Sequence, residues 1–334
     1  MATNKPPISV VVCAKNEAEN LNLFLPSILD QDYPNFELVL INDGSTDTTL
    51  SVMERFKAKH SNIKIVNVKT IETFWGNKKY ALTLGIKAAT HNHLLFTDAD
   101  CKPVSNQWIS EMASHFTASH QIVLGYGAYS KIKNSFLNKL VRFETLMTAI
   151  QYFSYAKLGH PYMGVGRNMA YTKDLFFEAR GFMDHMHIKS GDDDLFVNQI
   201  ASAENTTICL SNNSFTESTP KTSFNDWITQ KSRHITTAKH YKSKHKAILS
   251  TFYISQFLFV ALGTALLITL FNWEIVVGLI GVRYLASFIS VTLAAKKLGE
   301  KDLIPFLPFL EIFLILVQFS IFIKNLISKP THWK

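Results

Sequence analysis

Residues 248–271 form a run of 24 without one Asp, Glu, Lys or Arg. A helix rises about 1.5 Å per residue, so this run can cross a hydrocarbon core about 30 Å thick. Lipid offers no partners to backbone N–H and C=O groups, so a run that crosses it must be helical. A buried helix of a water-soluble core is the other reading. Residues 275–295 are a second apolar run, with the single charge Arg283. Residues 303–323 are a third, with Glu311 and two prolines, Pro305 and Pro308. The prolines leave it open to a kinked or re-entrant path. Arg283 and Glu311 are each costly alone in lipid, so they are expected to face each other or a polar cavity.

The net charge of +8 belongs to the last third of the chain. Residues 1–220 carry 20 basic and 21 acidic side chains, residues 221–247 carry 7 and 1, and residues 248–334 carry 7 and 4. A basic segment just before an apolar tail reads as a juxtamembrane stretch facing anionic headgroups. No RRM, KH or zinc-finger pattern surrounds it, so no nucleic-acid partner is expected. Cys13, Cys101 and Cys209 lie far apart, which excludes a disulfide scaffold and a CxxC site and suits a reducing compartment. The N-terminal stretch is polar and lacks a signal-peptide pattern. The expected organisation is a cytosolic domain over 1–220, a basic interface segment over 221–247, and about three membrane helices over 248–334. That describes a multi-pass protein of the inner, cytoplasmic membrane. Lys296, Lys297 and Lys301 favour the inside for the loop they occupy. Lys324, Lys329 and Lys334 favour it too, which conflicts with three complete crossings.

Residues 8–100 alternate strand and helix patterns. Residues 8–13, 36–41, 63–68 and 94–97 are short apolar or β-branched runs, as buried parallel strands are. Helical spacing follows the first three, over 21–29, 46–59 and 78–89. This predicts an α/β fold with an open parallel sheet, helices on both faces, and ligands beyond the carboxyl ends of the strands. Three polar clusters fall just after strands: Asn16 with Glu17, Asp43 with Gly44, and Asp98 with Asp100.

Two carboxylates flanking a small residue at a strand end, as in Asp98-Ala99-Asp100, can hold a hard divalent cation. A solvated acidic turn is the plainer reading. Asp43 can accept hydrogen bonds from a base or ribose, or simply cap a helix. Lys78 can balance a diphosphate, while a solvated helix lysine is the default reading for either Lys78 or Lys79. The absence of GxGxxG and GxxxxGK[ST] argues against a dinucleotide or P-loop site. Asp192, Asp193 and Asp194 repel one another, so one of them should have a raised pKa and be a plausible general base. An acidic helix start reads equally well. Gln230 and Arg233 share a helix face by their spacing.

Seven stretches then fall in an ordered series: 10–17 (VVVCAKNE), 40–47 (LINDGSTD), 77–82 (NKKYAL), 96–100 (FTDAD), 164–168 (GVGRN), 191–195 (GDDDL) and 230–234 (QKSRH). In order and spacing the chain resembles family-2 glycosyltransferases of the GT-A fold. The resemblance is to the membrane-integrated kind that includes hyaluronan, cellulose and chitin synthases and ceramide glucosyltransferases, and it covers about residues 8–247. It implies that Ala14, Glu17, Asp43 and Asp98 contact a nucleotide-sugar and that Lys78 contacts its diphosphate. Asp100, with Asp98, would hold Mn²⁺ or Mg²⁺. Asp193 would be the base, beside Asp192, with Asp194 the alternative. Gln230 and Arg233 would lie near the acceptor and diphosphate, and Gly166, Asn168 and His234 on the acceptor side. The family's Trp is His234 here, which puts processive polymer synthesis in doubt.

The resulting expectation is a metal-dependent, inverting glycosyltransferase. It would move a sugar from a nucleotide-sugar, expected to be a UDP-sugar, to a lipid or lipid-linked acceptor in glycolipid or cell-envelope glycan synthesis. A processive synthase subunit and a catalytically silent scaffold are the alternatives. Residues 137–158 form an aromatic-bearing apolar run, which reads as either a membrane-interface helix or a packed core helix.

Overall fold

The computed structural model describes residues 5–69, 78–188 and 190–327. Asn77 of the third motif stretch and tail residues Lys329 and Lys334 lie outside the described residues, as do the side chains of His234 and Lys324. The chain divides into two compact units. One comprises Met1–Ser130 and Gln151–Pro220, the other Lys131–Ile150 and Lys221–Lys334.

The first unit begins with β1 (Ile8–Ala14), α1 (Ala18–Leu29), β2 (Phe36–Asp43), α2 (Thr49–Lys57), β3 (Ile63–Val68), α3 (Lys78–Ala88) and β4 (His93–Asp98). Then come β5 (Cys101–Pro103), α4 (Trp108–Ala113), β6 (Ile122–Leu124) and β7 (Gly127–Tyr129). The helix α5 (Phe136–Lys157), whose residues up to Ile150 belong to the other unit, is followed by β8 (Met169–Thr172), α6 (Lys173–Glu178), α7 (Asp194–Ile200), β9 (Thr206–Ile208) and β10 (Thr216–Ser218).

The main sheet has the order β3-β2-β1-β4-β8-β6-β9. The first four strands are parallel, with Cys13 level with Ile41 on one side and Asp98 on the other. Three strands thus end together, and their following loops share one edge. The sheet is not wholly parallel, as the sequence pattern suggested: β8 runs antiparallel to both β4 and β6. A separate small sheet joins β5, β10 and β7. The parallel strands read as continuous apolar runs because both faces are covered. Val10, Val12, Leu38 and Leu40 pack with Leu21, Leu25 and Ile28 of α1 and with Trp108, Ile109 and Met112 of α4. Burying each such aliphatic side chain contributes roughly 1.5–3 kcal/mol.

The second unit holds α8 (Phe224–Ala238), α9 (Ser243–Ile268), α10 (Trp273–Lys297) and α11 (Leu307–Ile327). Ser243–Ile268, Trp273–Lys297 and Lys301–Ile323 are each long and apolar enough to cross a membrane. Pro305 lies in a tight 3-10 turn, Lys301–Phe306, and Pro308 in the first turn of α11. Proline is tolerated there because a first-turn N–H has no intrahelical partner. Arg283 donates to Glu311 at 2.6 Å and lies over the rings of Phe259 and Tyr284. The two charges expected to be costly in lipid therefore meet. Residues 131–150 group with this unit, where Arg142 donates from Nε to Glu300 at 2.9 Å and from Nη1 to Asp302 at 2.8 Å. The side chains of Leu140, Phe143, Leu146, Tyr152 and Phe153 are buried, so α5 is a packed helix.

Candidate active site

The site is built from loops at one sheet edge. The β1–α1 and β2–α2 loops are stitched together. Asn16, at φ +58°, donates its backbone N–H to Ser45 Oγ at 3.0 Å, and its Oδ1 accepts from Thr46 N at 2.8 Å. Glu17 N donates to Thr49 Oγ1 at 2.8 Å. Asp43 ends β2, and Gly44 turns the chain with φ +59°, a conformation that costs glycine nothing. Ala14, the last residue of β1, is buried.

Lys78 opens α3 and joins two distant motifs. Its Nζ lies 2.8 Å from Asp98 Oδ1 and 3.0 Å from Asp192 Oδ2. Desolvation would lower its pKa, but Asp192 and then Asp98 outweigh this and hold it well above the usual lysine range. It is a fixed cation at any physiological pH.

Asp98, Asp100 and Cys101 bring their ligand atoms within 4.8 Å of one another. Burial and then the Asp98 charge push Asp100 above the usual carboxylate range. Burial, then Asp100 and Asp98, push the Cys101 thiol far up, so it stays protonated. What remains is an oxygen donor pair whose mutual repulsion a cation would relieve. That donor set fits a hard divalent ion.

Asp193 caps α7. Its Oδ2 accepts from Gly166 N at 2.8 Å and its Oδ1 from Asp194 N at 2.7 Å. Burial, then the charges of Asp192 and Asp194, push its pKa up to about 7, while the Gly166 hydrogen bond and Lys78 oppose this. A carboxylate so poised exchanges a proton near neutral pH. Asp194 is buried and its Oδ1 accepts from Leu195 N at 2.7 Å. Gly191 reaches the cluster at φ +90°, where a Cβ would come within 2.5 Å of Leu195 Cδ1.

Asn168 is fully buried, and its amide is committed to the protein. Nδ2 donates to Tyr126 O and Ser214 O at 2.9 and 2.7 Å, and Oδ1 accepts from Trp108 Nε1 at 3.0 Å. Any part it plays on the acceptor side runs through the backbone position it gives Gly166. Gln230, Arg233 and His234 lie on α8 in the other unit. There Lys231 pairs with Glu144, and Arg233 Nε is buried without a hydrogen-bond partner among the described residues.

Arg167 went unweighed in the sequence, and Lys79, whose default reading there is a solvated helix lysine, is not solvated. Arg167 stacks over Tyr129 at 4.2 Å and donates to Ser218 Oγ at 2.7 Å. Lys79 is fully buried beside His185. Its signal was present: Lys79, Leu82 and Ile86 share the buried stripe of α3 at helical spacing.

Residues 9–178 match the family described as Glycosyl transferase family 2. The chain belongs to that family. An uncharacterized glycosyltransferase of Haemophilus influenzae is 33% identical over 131 residues, 39% of this chain and 38% of that one. The poly-beta-1,6-N-acetyl-D-glucosamine synthase of Staphylococcus epidermidis is 36% identical over 93 residues, 28% of this chain and 21% of that one. The match thus spans well under half the length of these curated relatives. Among solved structures, the mannosyltransferase PcManGT of Pyrobaculum calidifontis, in complex with GDP-Man and Mn²⁺, aligns with TM-score 0.60 at 19% identity. The alignment covers 98% of this chain and 89% of that one, and it shows the fold, GT-A.

Proposed function

We propose that the protein is a membrane-bound, metal-dependent, inverting glycosyltransferase that moves a sugar from a UDP-sugar to the hydroxyl of a lipid or lipid-linked acceptor. The observation that carries this reading is Lys78, whose ammonium lies within 3.0 Å of both Asp98 and Asp192. One cation thereby joins a donor-side acidic strand end to the loop of the candidate base.

In this reading Asp43 and Glu17, with the backbone of Ala14, bind the nucleoside. Lys78 exchanges a carboxylate partner for the diphosphate and neutralises the charge that grows there as the glycosidic bond breaks. Asp98 and Asp100 would hold Mn²⁺ or Mg²⁺, which, when bound, adds further positive charge against the leaving diphosphate. Asp193 takes the proton of the acceptor hydroxyl as that oxygen attacks the anomeric carbon from the face opposite the departing phosphate. Direct displacement turns an α-linked donor into a β-linked product. Gln230 and Arg233 would border the acceptor and diphosphate. His234 in place of the family's Trp favours a single transfer over polymer extension.

The three apolar helices support a membrane home, and the basic residues 221–247 support contact with anionic lipid on the cytosolic face. The test is to incubate membranes containing the protein with radiolabelled UDP-sugars and resolve the organic extract by thin-layer chromatography. One new labelled lipid band, absent in Asp193→Asn membranes, is the expected result. A ladder of water-soluble products, or no incorporation from any donor, would overturn it.

A further inference from the structure

Adjacent lysines on α3 do different things. Lys78 is half-exposed, with its ammonium on Asp98 and Asp192. Lys79, one residue on, is turned about 100° around the helix and points inward. It is 1% exposed. Its Nζ lies 2.8 Å from His185 Nδ1 and donates to the backbone carbonyls of His185 at 2.7 Å and Ile188 at 3.0 Å. An ammonium has three protons, and three acceptors meet them. That satisfies a buried charge which would otherwise be expensive. His185 is pushed down to about 4 by burial and then by Lys79, so its ring is neutral and Nδ1 is free to accept.

These acceptors occupy the turn Met183–His185 and its continuation to Ile188, just before Gly191 and the three aspartates. We infer that Lys79 is a positioning residue that pins this turn to α3, so that one helix end fixes both Lys78 and the loop bearing Asp192 and Asp193. This rests on the reading of Asp193 as the base. Desolvation brings Lys79 down to about 8, with Asp192, Asp194 and Asp193 opposing, so it remains a cation at neutral pH. The arrangement uses an ion pair and an ion-dipole clamp from adjacent residues of one helix. Lys78 holds Asp192 at its carboxylate, and Lys79 holds the backbone that leads to it.

The test is steady-state turnover of Lys79→Met and Lys79→Arg with the donor that supports release of nucleotide from the wild type, beside Asp193→Asn. A small displacement of a reacting group can cost about a hundredfold, so Lys79→Met is expected to lose roughly ten- to a hundredfold in kcat with donor KM unchanged within about threefold. Lys79→Arg, which keeps the charge and several donors, is expected to recover part of that loss. Wild-type kcat in Lys79→Met overturns the inference, as does a parallel loss of kcat and donor affinity that Lys79→Arg does not relieve. Should Lys79→Met fail to fold, His185→Leu removes one acceptor and leaves the two carbonyls: lowered kcat at unchanged donor KM supports the inference, and wild-type kcat overturns it. Wild-type turnover by Asp193→Asn overturns the base assignment and this inference together, whereas wild-type turnover by Lys79→Met alone leaves the base assignment standing.

Discussion

Lys78 and Asp192 meet at 3.0 Å, although one opens a helix early in the chain and the other lies in a loop far beyond it. The same ammonium also reaches Asp98, so the cation is shared before any donor arrives. Removing it leaves two carboxylates facing each other without a counter-charge. Lys78→Ala is expected to lower turnover roughly a hundredfold to a thousandfold, the scale of losing one donor to developing charge. Nucleotide affinity, read by isothermal titration with UDP and Mn²⁺, should fall as well. Undiminished affinity would remove Lys78 from the diphosphate.

Asp193 predicts a pH profile. A base must be deprotonated, so kcat should rise with pH through about 7 and level off above it. Asp193→Asn should abolish both the activity and the limb. Stability should move the other way. The folded-state pKa lies above the unfolded value, so folding favours the protonated form. Its favourable contribution is complete at low pH and is lost as pH rises toward about 7. Asp193→Asn is therefore expected to melt higher than the wild type at pH 8 and close to it at pH 4. Thermal melts in detergent at the two pH values check this.

Much of the candidate site's framework was legible because buried parallel strands leave continuous apolar runs, and the polar residue that ends each run marks the carboxyl edge of the sheet. Asp43 and Asp98 were visible in this way. The strand β8 was not, since four residues, Met169–Thr172, are too few to show a period, and its antiparallel placement is a tertiary outcome. Nor was the grouping of residues 131–150 with the C-terminal helices. It is accompanied by Arg142 pairing with Glu300, 158 residues away, and no local pattern announces such a pair. Pattern alone also left α5 between interface and core, and the burial of Leu140, Phe143 and Leu146 decides that. Lys79 was readable only by asking why a lysine sat on an apolar stripe.

The Arg283–Glu311 pair gives a double-mutant test. Breaking a pair shielded from water leaves an uncompensated charge, so Arg283→Leu is expected to cost about 3–5 kcal/mol. Arg283→Leu with Glu311→Leu should recover most of it, because both charges are gone. Unfolding in mixed micelles measures the coupling. Additive losses would contradict the pair.

Gly191 tests the geometry of the aspartate loop. An alanine there meets φ +90° and a Leu195 methyl at 2.5 Å, so the loop must move. Strain of this kind costs on the order of 1–3 kcal/mol. Gly191→Ala should lose activity well beyond its loss of stability. The two losses are read by turnover alongside melting temperature.

The most direct test of the central claim is nucleotide release by the detergent-purified protein. It would be assayed across UDP-, GDP- and dTDP-sugars with lipid extract, in Mn²⁺, Mg²⁺ or EDTA, beside Asp193→Asn and Asp100→Asn. The account predicts release of UDP from one sugar, abolished by EDTA, restored by Mn²⁺ or Mg²⁺, and lost in both variants. Release that persists in EDTA and in Asp193→Asn, or no release from any donor, would contradict it.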